Sequence, residues 1–180
     1  MLIDLVISSA HSVLKEEKHF VSHIVAGRKR FENWLQLEIY KRLMRNNPEI
    51  EMERPYFAAR ERCDFWCRET DELENWVELK LCVTNYEQDY TGQFSNRPIT
   101  NEIDSVIADI KKLRKVPNVT SVWHVLLLAY PMPVGEKCHL PWMNHLDKIR
   151  ENSTSLDRAF TVMLERAGKS VTLVGYKISA

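Results

Sequence analysis

Glycine is scarce in this chain, with five residues in 180. None of the five sits in a Gly-rich phosphate loop or a G-x-S-x-G elbow, so P-loop nucleotide chemistry and the α/β-hydrolase serine mechanism are excluded. Repeats, low-complexity tracts and Gly/Ser linkers are missing as well. Net charge is also absent: 25 basic residues balance 25 acidic ones. That excludes a polycationic coat for nucleic acid or an anionic membrane, while leaving room for a local basic patch. Cysteine is sparse. Cys63, Cys67, Cys82 and Cys138 are too few for a disulfide scaffold and read as reduced thiols of a cytoplasmic protein. No apolar run is long enough to span a bilayer. Val122 to Tyr130 contains His124 and falls far short of the ~20 residues required, so no membrane partner is expected.

What remains is the composition of an ordinary globular protein, 44% hydrophobic and 28% charged. One domain over residues 1–180 is expected, with a helical extension over 1–27, a core over 30–130 and additions over 131–180. Leu2, Val6, Val13, Phe20 and Ile24 predict one helix ending at Gly27. A second helix runs from 30 to 45 and is stopped by Asn46-Asn47-Pro48. Three strands follow at 50–57, 62–68 and 76–83. Residues 84–98 form a polar loop containing Tyr86, Tyr90 and Phe94, which either stack on bases or pin the loop to the body. Ile99, Ile103, Val106, Ile107, Ile110 and Leu113 then make one apolar stripe of a helix over 100–115. Val122 to Tyr130 is a strand buried on both faces. Two helices, 141–151 and 155–167 with Gly168 as the stop, and a strand over 171–178 complete the chain. The helix over 100–115 supplies the crossover that parallel pairing needs. The fold class is therefore α/β, a three-layer sandwich around a central mixed sheet. It has an α-β-β-β-α-β core, an extra N-terminal helix, and C-terminal helices and a strand.

Chemistry concentrates between Arg62 and Leu81. Alternate residues of a strand share a face, so Glu78 and Lys80 point the same way while Val77, Leu79 and Leu81 face the core. Asp64 lies on the preceding strand, opposite the face of Cys63, Phe65 and Cys67. Neighbouring strands are ~4.8 Å apart, so pairing would let Asp64 and Glu78 converge beside Lys80. Two carboxylates suit a hard divalent cation. On spacing alone, a cross-strand salt bridge on an exposed face is the plainer reading. A third acid shifts the balance, because Glu38 falls on the wheel between Trp34 and Phe31/Leu35, inside the apolar stripe. A buried carboxylate needs a partner, either Arg42 or a metal. Glu32 lies beside Ile39 and Leu43 and is the weaker candidate for that role.

This order of elements and acids resembles the PD-(D/E)XK nuclease superfamily over about residues 30–130. Cys63 stands where a proline often precedes the aspartate. The resemblance implies Mg²⁺- or Mn²⁺-dependent phosphodiester hydrolysis. It makes Asp64, Glu78 and the Leu79 carbonyl metal ligands, gives Lys80 the role of assisting the attacking water, and makes Glu38 the acid of the first core helix. It also implies a nucleic acid partner, taken as DNA, and admits a homodimer. The alternative is a non-catalytic binding or assembly module on the same fold.

Other metal readings are weaker. Cys63, Cys67, Cys82 and Cys138-His139 read as packing cysteines and not as a zinc site. The remaining histidines are set aside as ligands, and His124 is read as a hydrogen-bonded core residue. Arg28-Lys29-Arg30 and Lys111 to Lys115 are candidate phosphate contacts or plain solvated faces. The zero net charge is uneven along the chain. Residues 63–109 hold 3 basic against 11 acidic groups, and 110–180 hold 11 against 5. An acidic middle would repel phosphate until a cation filled it.

Overall fold

The computed structural model describes residues 2–27, 29–46, 49–56, 61–71, 73–84, 99–114, 121–133, 139–153, 155–163 and 169–178. Among them are five helices and a six-stranded mixed sheet. The helices are α1 (Leu2–Glu16), α2 (Lys18–Ala26), α3 (Glu32–Asn46), α4 (Ile99–Leu113) and α5 (His139–Asn152). The strands are β1 (Glu51–Pro55), β2 (Arg62–Thr70), β3 (Leu73–Val83), β4 (Ser121–Pro133), β5 (Ser155–Met163) and β6 (Lys169–Ile178), in the sheet order β1-β2-β3-β4-β6-β5. Only β3 and β4 pair in parallel, with Glu74 opposite Ser121 through to Val83 opposite Tyr130. The crossover between them contains α4, as its apolar stripe requires.

The sheet is covered on both faces. On one, Leu35, Ile39 and Leu43 of α3 and the α1 stripe Leu2, Ile3, Val6, Ile7, Ala10, Val13 and Leu14 pack against Phe65, Val77, Leu79, Leu81, Leu126 and Leu128. On the other, Ile99, Ile103, Val106, Ile110 and Leu113 of α4 and Trp142, Leu146 and Ile149 of α5 cover Cys82, Val125, Leu127 and Tyr176. β4 supplies alternate residues to each side, which is why its sequence is apolar without interruption. Among the described residues, no helix is long and apolar enough to cross a membrane.

Three expectations change. The first helix is two helices, α1 and α2, meeting at Glu17 (φ −96°, ψ 23°). The break falls in the charged run Lys15-Glu16-Glu17-Lys18, all exposed, where no side chain is held by the core. Phe20, expected inside, is 43% exposed.

The expected helix over 155–167 is the strand β5, paired antiparallel with β6 from Ser155 opposite Lys177 to Met163 opposite Ser170. Leu156, Ala159, Phe160 and Met163 happen to satisfy a helical spacing. The deciding pattern is the alternation of half-buried Phe160, exposed Thr161, buried Val162 and exposed Met163. β6 offers its free edge to that segment, and tertiary pairing overrides the local period. The proposed stop at Gly168 lies outside the described residues.

Third, Cys63 belongs to the α4-side core while Phe65 and Cys67 belong to the α3 side. Strict alternation is therefore lost at Asp64. Opposite it on β1, between the pairs Met52–Phe65 and Arg54–Cys63, Glu53 adopts φ 57°. A left-handed residue inside a strand twists the pair locally.

Leu126 is fully buried on the central strand. Leu126→Ala is expected to cost roughly 2–5 kcal/mol, read as a lower urea midpoint with the slope unchanged.

Candidate active site

β2 and β3 pair from Thr70–Leu73 to Phe65–Val77, and beyond that last pair side chains replace the ladder. The Leu79 N–H donates to Asp64 Oδ2 at 2.5 Å. The Leu81 N–H donates to the carboxylate of Glu32. A buried amide requires an acceptor, so the two carboxylates take over from β2 where it splays away. N–H and C=O of one strand residue point to the same side. The Leu79 carbonyl is therefore directed to this same open edge.

Asp64 is fixed from the α3 side as well. Gln36, buried on α3, donates through Nε2 to Asp64 Oδ1 at 3.0 Å and to Glu53 Oε1 at 2.9 Å. The left-handed Glu53 thus presents its carboxylate to the same amide that orients Asp64. From the α4 side come Glu78, Lys80 and Asp109. Lys80 Nζ lies 2.9 Å from Glu78 Oε1 and 3.2 Å from Asp109 Oδ2. A cavity of about 230 Å³ opens here, lined by Tyr56, Glu61, Arg62, Glu78, Lys80, Asp109 and Leu113. Tyr56 is set at its rim by a T-shaped contact with Trp123, ring centroids 5.0 Å apart. Its N–H also donates to the Glu61 carbonyl at 3.1 Å.

The cluster concentrates buried carboxylates whose charges oppose one another. Burial, then the charge of Glu78, pushes Asp64 well above the usual carboxylate range, against the pull of the Leu79 N–H and Lys80. Burial also raises Glu78, with Lys80 opposing. Burial raises Glu32 too, opposed by Lys80 and Arg30. Burial works against the charge of Lys80, but Glu78 and Asp109 outweigh it and hold the ammonium above the ordinary lysine value. Glu78 Oε2 is buried with no hydrogen-bond partner among the described residues. A desolvated, unpaired carboxylate oxygen is costly, and a cation would satisfy it. Asp64, Glu78 and the Leu79 carbonyl are hard oxygen donors, a set that fits Mg²⁺ or Mn²⁺ with water completing the shell. Among the described residues no group of three or more His, Cys, Asp or Glu side chains is placed to hold a metal ion, so a closed all-protein cage is not formed.

Asp64, Glu78 and Lys80 are brought together and Glu38 is not. Glu38 pairs with Lys41 at 2.6 Å on the outer side of α3, while Arg42 pairs with Glu16 on α1. Trp34 is half-buried at the edge of the core and does not mark the centre of the buried face of α3. It also meets the exposed Phe20 edge-on, centroids 4.9 Å apart, and the buried line is Leu35, Gln36, Ile39 and Leu43. Glu32 lies on that line and is the α3 acid at the site. Gln36 and Asp109 went unremarked in the sequence. Asp109 had a signal, since it sits one turn from Val106 on the margin of the α4 stripe. Gln36 had none beyond its place in the stripe.

The remaining candidates lie elsewhere. Cys63, Cys67 and Cys82 are buried free thiols, and burial pushes Cys82 up to about 12. Burial lowers His124 to about 4, which keeps it neutral at pH 7. Tyr86, Tyr90, Phe94, Arg28, Lys115 and Cys138 lie outside the described residues. Compared with protein-family models, curated proteins and solved structures, the chain has no match.

The raised carboxylates set the sign of the pH response. The metal-free folded protein holds protons that the unfolded chain releases near pH ~4. Stability is therefore fully present below that value and is lost as pH rises through the raised values. Glu78→Gln removes one charge and replaces the unpaired Oε2 by a donor. It is expected to stabilise the metal-free protein at pH 8 by about 1 kcal/mol and to flatten its melting temperature against pH. Mn²⁺ is expected to raise the melting temperature of the wild type and not of this variant.

Proposed function

We propose that the protein is a divalent-metal-dependent phosphodiester hydrolase acting on DNA, of the PD-(D/E)XK nuclease type. The order α3-β1-β2-β3-α4-β4 would be the α-β-β-β-α-β core of that type, in a three-layer sandwich. The observation that carries the reading is the splayed β2–β3 edge. There Asp64, Glu78 and Lys80 meet beside the Leu79 backbone, and one buried carboxylate oxygen is left unpaired.

Asp64, Glu78 and the Leu79 carbonyl would hold Mg²⁺ or Mn²⁺. When bound, the cation supplies charge neutralisation at the phosphoryl oxygens and a more acidic water. The other steps fall to the chain itself. Gln36 and the Leu79 N–H hold both oxygens of Asp64 in place, so the ligand is oriented before the cation arrives. Lys80 is kept protonated by Glu78 and Asp109. Its ammonium can hold the attacking water and stabilise the negative charge that grows on the phosphoryl group. If Glu78 held a cation, Asp109 would still anchor Lys80. In the hydrolysis, the water oxygen forms the new bond to phosphorus as the bond to the leaving sugar oxygen breaks; the attacking water releases one proton to bulk solvent, and the leaving oxygen takes one up from bulk solvent. Arg62 at the cavity rim and the exposed Lys111 and Arg114 at the end of α4 supply cations for flanking phosphates.

The test is cleavage of single-stranded and duplex DNA with Mn²⁺. Asp64→Ala and Lys80→Ala are each expected to lose about 100-fold or more. Glu32→Ala should lower activity while Glu38→Ala leaves it unchanged, which separates the two α3 acids. Equal activity in wild type, Asp64→Ala and Lys80→Ala would overturn the hydrolase reading. Mn²⁺-independent DNA binding without cleavage would favour a non-catalytic module.

A further inference from the structure

We propose that His19 and His23, on the solvent face of α2, form a second metal site, selective for a borderline divalent transition ion such as Zn²⁺ or Ni²⁺. This site is independent of the carboxylate cluster. The two residues are four apart on the helix, so one turn places both rings on the same face. Both are exposed. Their Nε2 atoms lie 3.3 Å apart, with ring centroids 4.7 Å apart and planes at 81°.

That separation is what chelation demands. Two imidazole nitrogens, each ~2.05 Å from one tetrahedral zinc, are about 3.3 Å from one another. The same distance also serves a hydrogen bond between the rings. In that case one Nε2 carries a proton, and binding would shift that imidazole to its Nδ1–H tautomer so that both Nε2 lone pairs meet the ion. The backbone spacing and the approach of the two nitrogens are therefore compatible with a bidentate ligand pair. Because both side chains are exposed, waters could contribute to the coordination shell.

Ligand hardness separates the two sites. Imidazole favours zinc, nickel and copper, whereas the oxygen set at Asp64 and Glu78 favours magnesium or manganese. His19-Phe-Val-Ser-His23 is an H-x-x-x-H pair, so the spacing is carried by the sequence itself. The structural consequence would fall on α2. This helix is nine residues long, and Glu17 at its start makes no side-chain cap bond. A metal across one turn would fix the helix against fraying.

The experiment is calorimetric titration of the untagged full chain with Zn²⁺, and separately with Ni²⁺, in excess Mg²⁺. One saturable equivalent is expected. Loss of an outer-shell partner to a metal-binding histidine already weakens affinity about 10–100-fold, so His19→Gln and His23→Gln should each weaken it at least about tenfold. His11→Gln and Asp64→Ala should retain it. His11, on α1, instead makes a tilted ring contact with Phe160, centroids 5.2 Å apart. A parallel melt should show Ni²⁺ raising the melting temperature of the wild type but not of His23→Gln. Both substituted positions are exposed, and circular dichroism of each variant checks that the fold is kept. The absence of saturable binding, or unchanged affinity in His19→Gln and His23→Gln, would overturn the proposal.

Discussion

The backbone amides of Leu79 and Leu81 lie where β2 has stopped pairing with β3, and a buried amide must be given an acceptor. Two carboxylates fill that role, Asp64 from β2 and Glu32 from α3. This substitution organises the surrounding structure. It holds two acids against the backbone in a desolvated place and turns the Leu79 carbonyl toward the same gap. It also leaves Glu78 beside them with one oxygen unpaired. An ordinary ladder would have satisfied the same amides without concentrating charge, and there would be no site.

The cost of that concentration is carried by the elements on either face. α3 brings Gln36, whose single amide nitrogen serves both Asp64 and Glu53. α4 brings Asp109, which shares Lys80 with Glu78. Each helix is held to the sheet by an apolar stripe, Leu35-Ile39-Leu43 on α3 and Ile103-Val106-Ile110 on α4. The polar residue used at the site sits within or at the margin of that stripe. Burial of the stripes fixes the helices, and the helices then fix donors and acceptors to within hydrogen-bond distance. Lys80 accordingly stays charged in a place where burial alone would neutralise it.

The uneven charge of the chain takes a spatial form here. Asp64, Glu78 and Asp109 all come from the acidic middle of the sequence. They meet Lys80 and, at the rim, Arg62. Acidic and basic groups are thus interleaved around one cavity, whose lining also includes Glu61. A neutral total is the sum of these opposed regions and says nothing about either one.

The periodicity of the chain by itself determined most of the elements. The α4 stripe, the uninterrupted β4 run and the i, i+2 placement of Glu78 and Lys80 each follow from a local repeat that burial enforces. Asp64 was legible for the same reason, because a charged residue amid Cys63, Phe65 and Trp66 has few places to go. Tertiary structure decided what local repeats leave degenerate. β5 reads as a helix until the edge of β6 is there to pair with it. The direction of α3 depends on whether Trp34 sits at the centre of the buried face or at its edge beside Phe20, and that difference exchanges Glu38 for Glu32. Gln36 and Asp109 acquire their roles only from partners 28 and 29 residues away in sequence. A wheel or an alternation assigns a face, but only packing sets its angle to within a residue, and the site is built from that last residue.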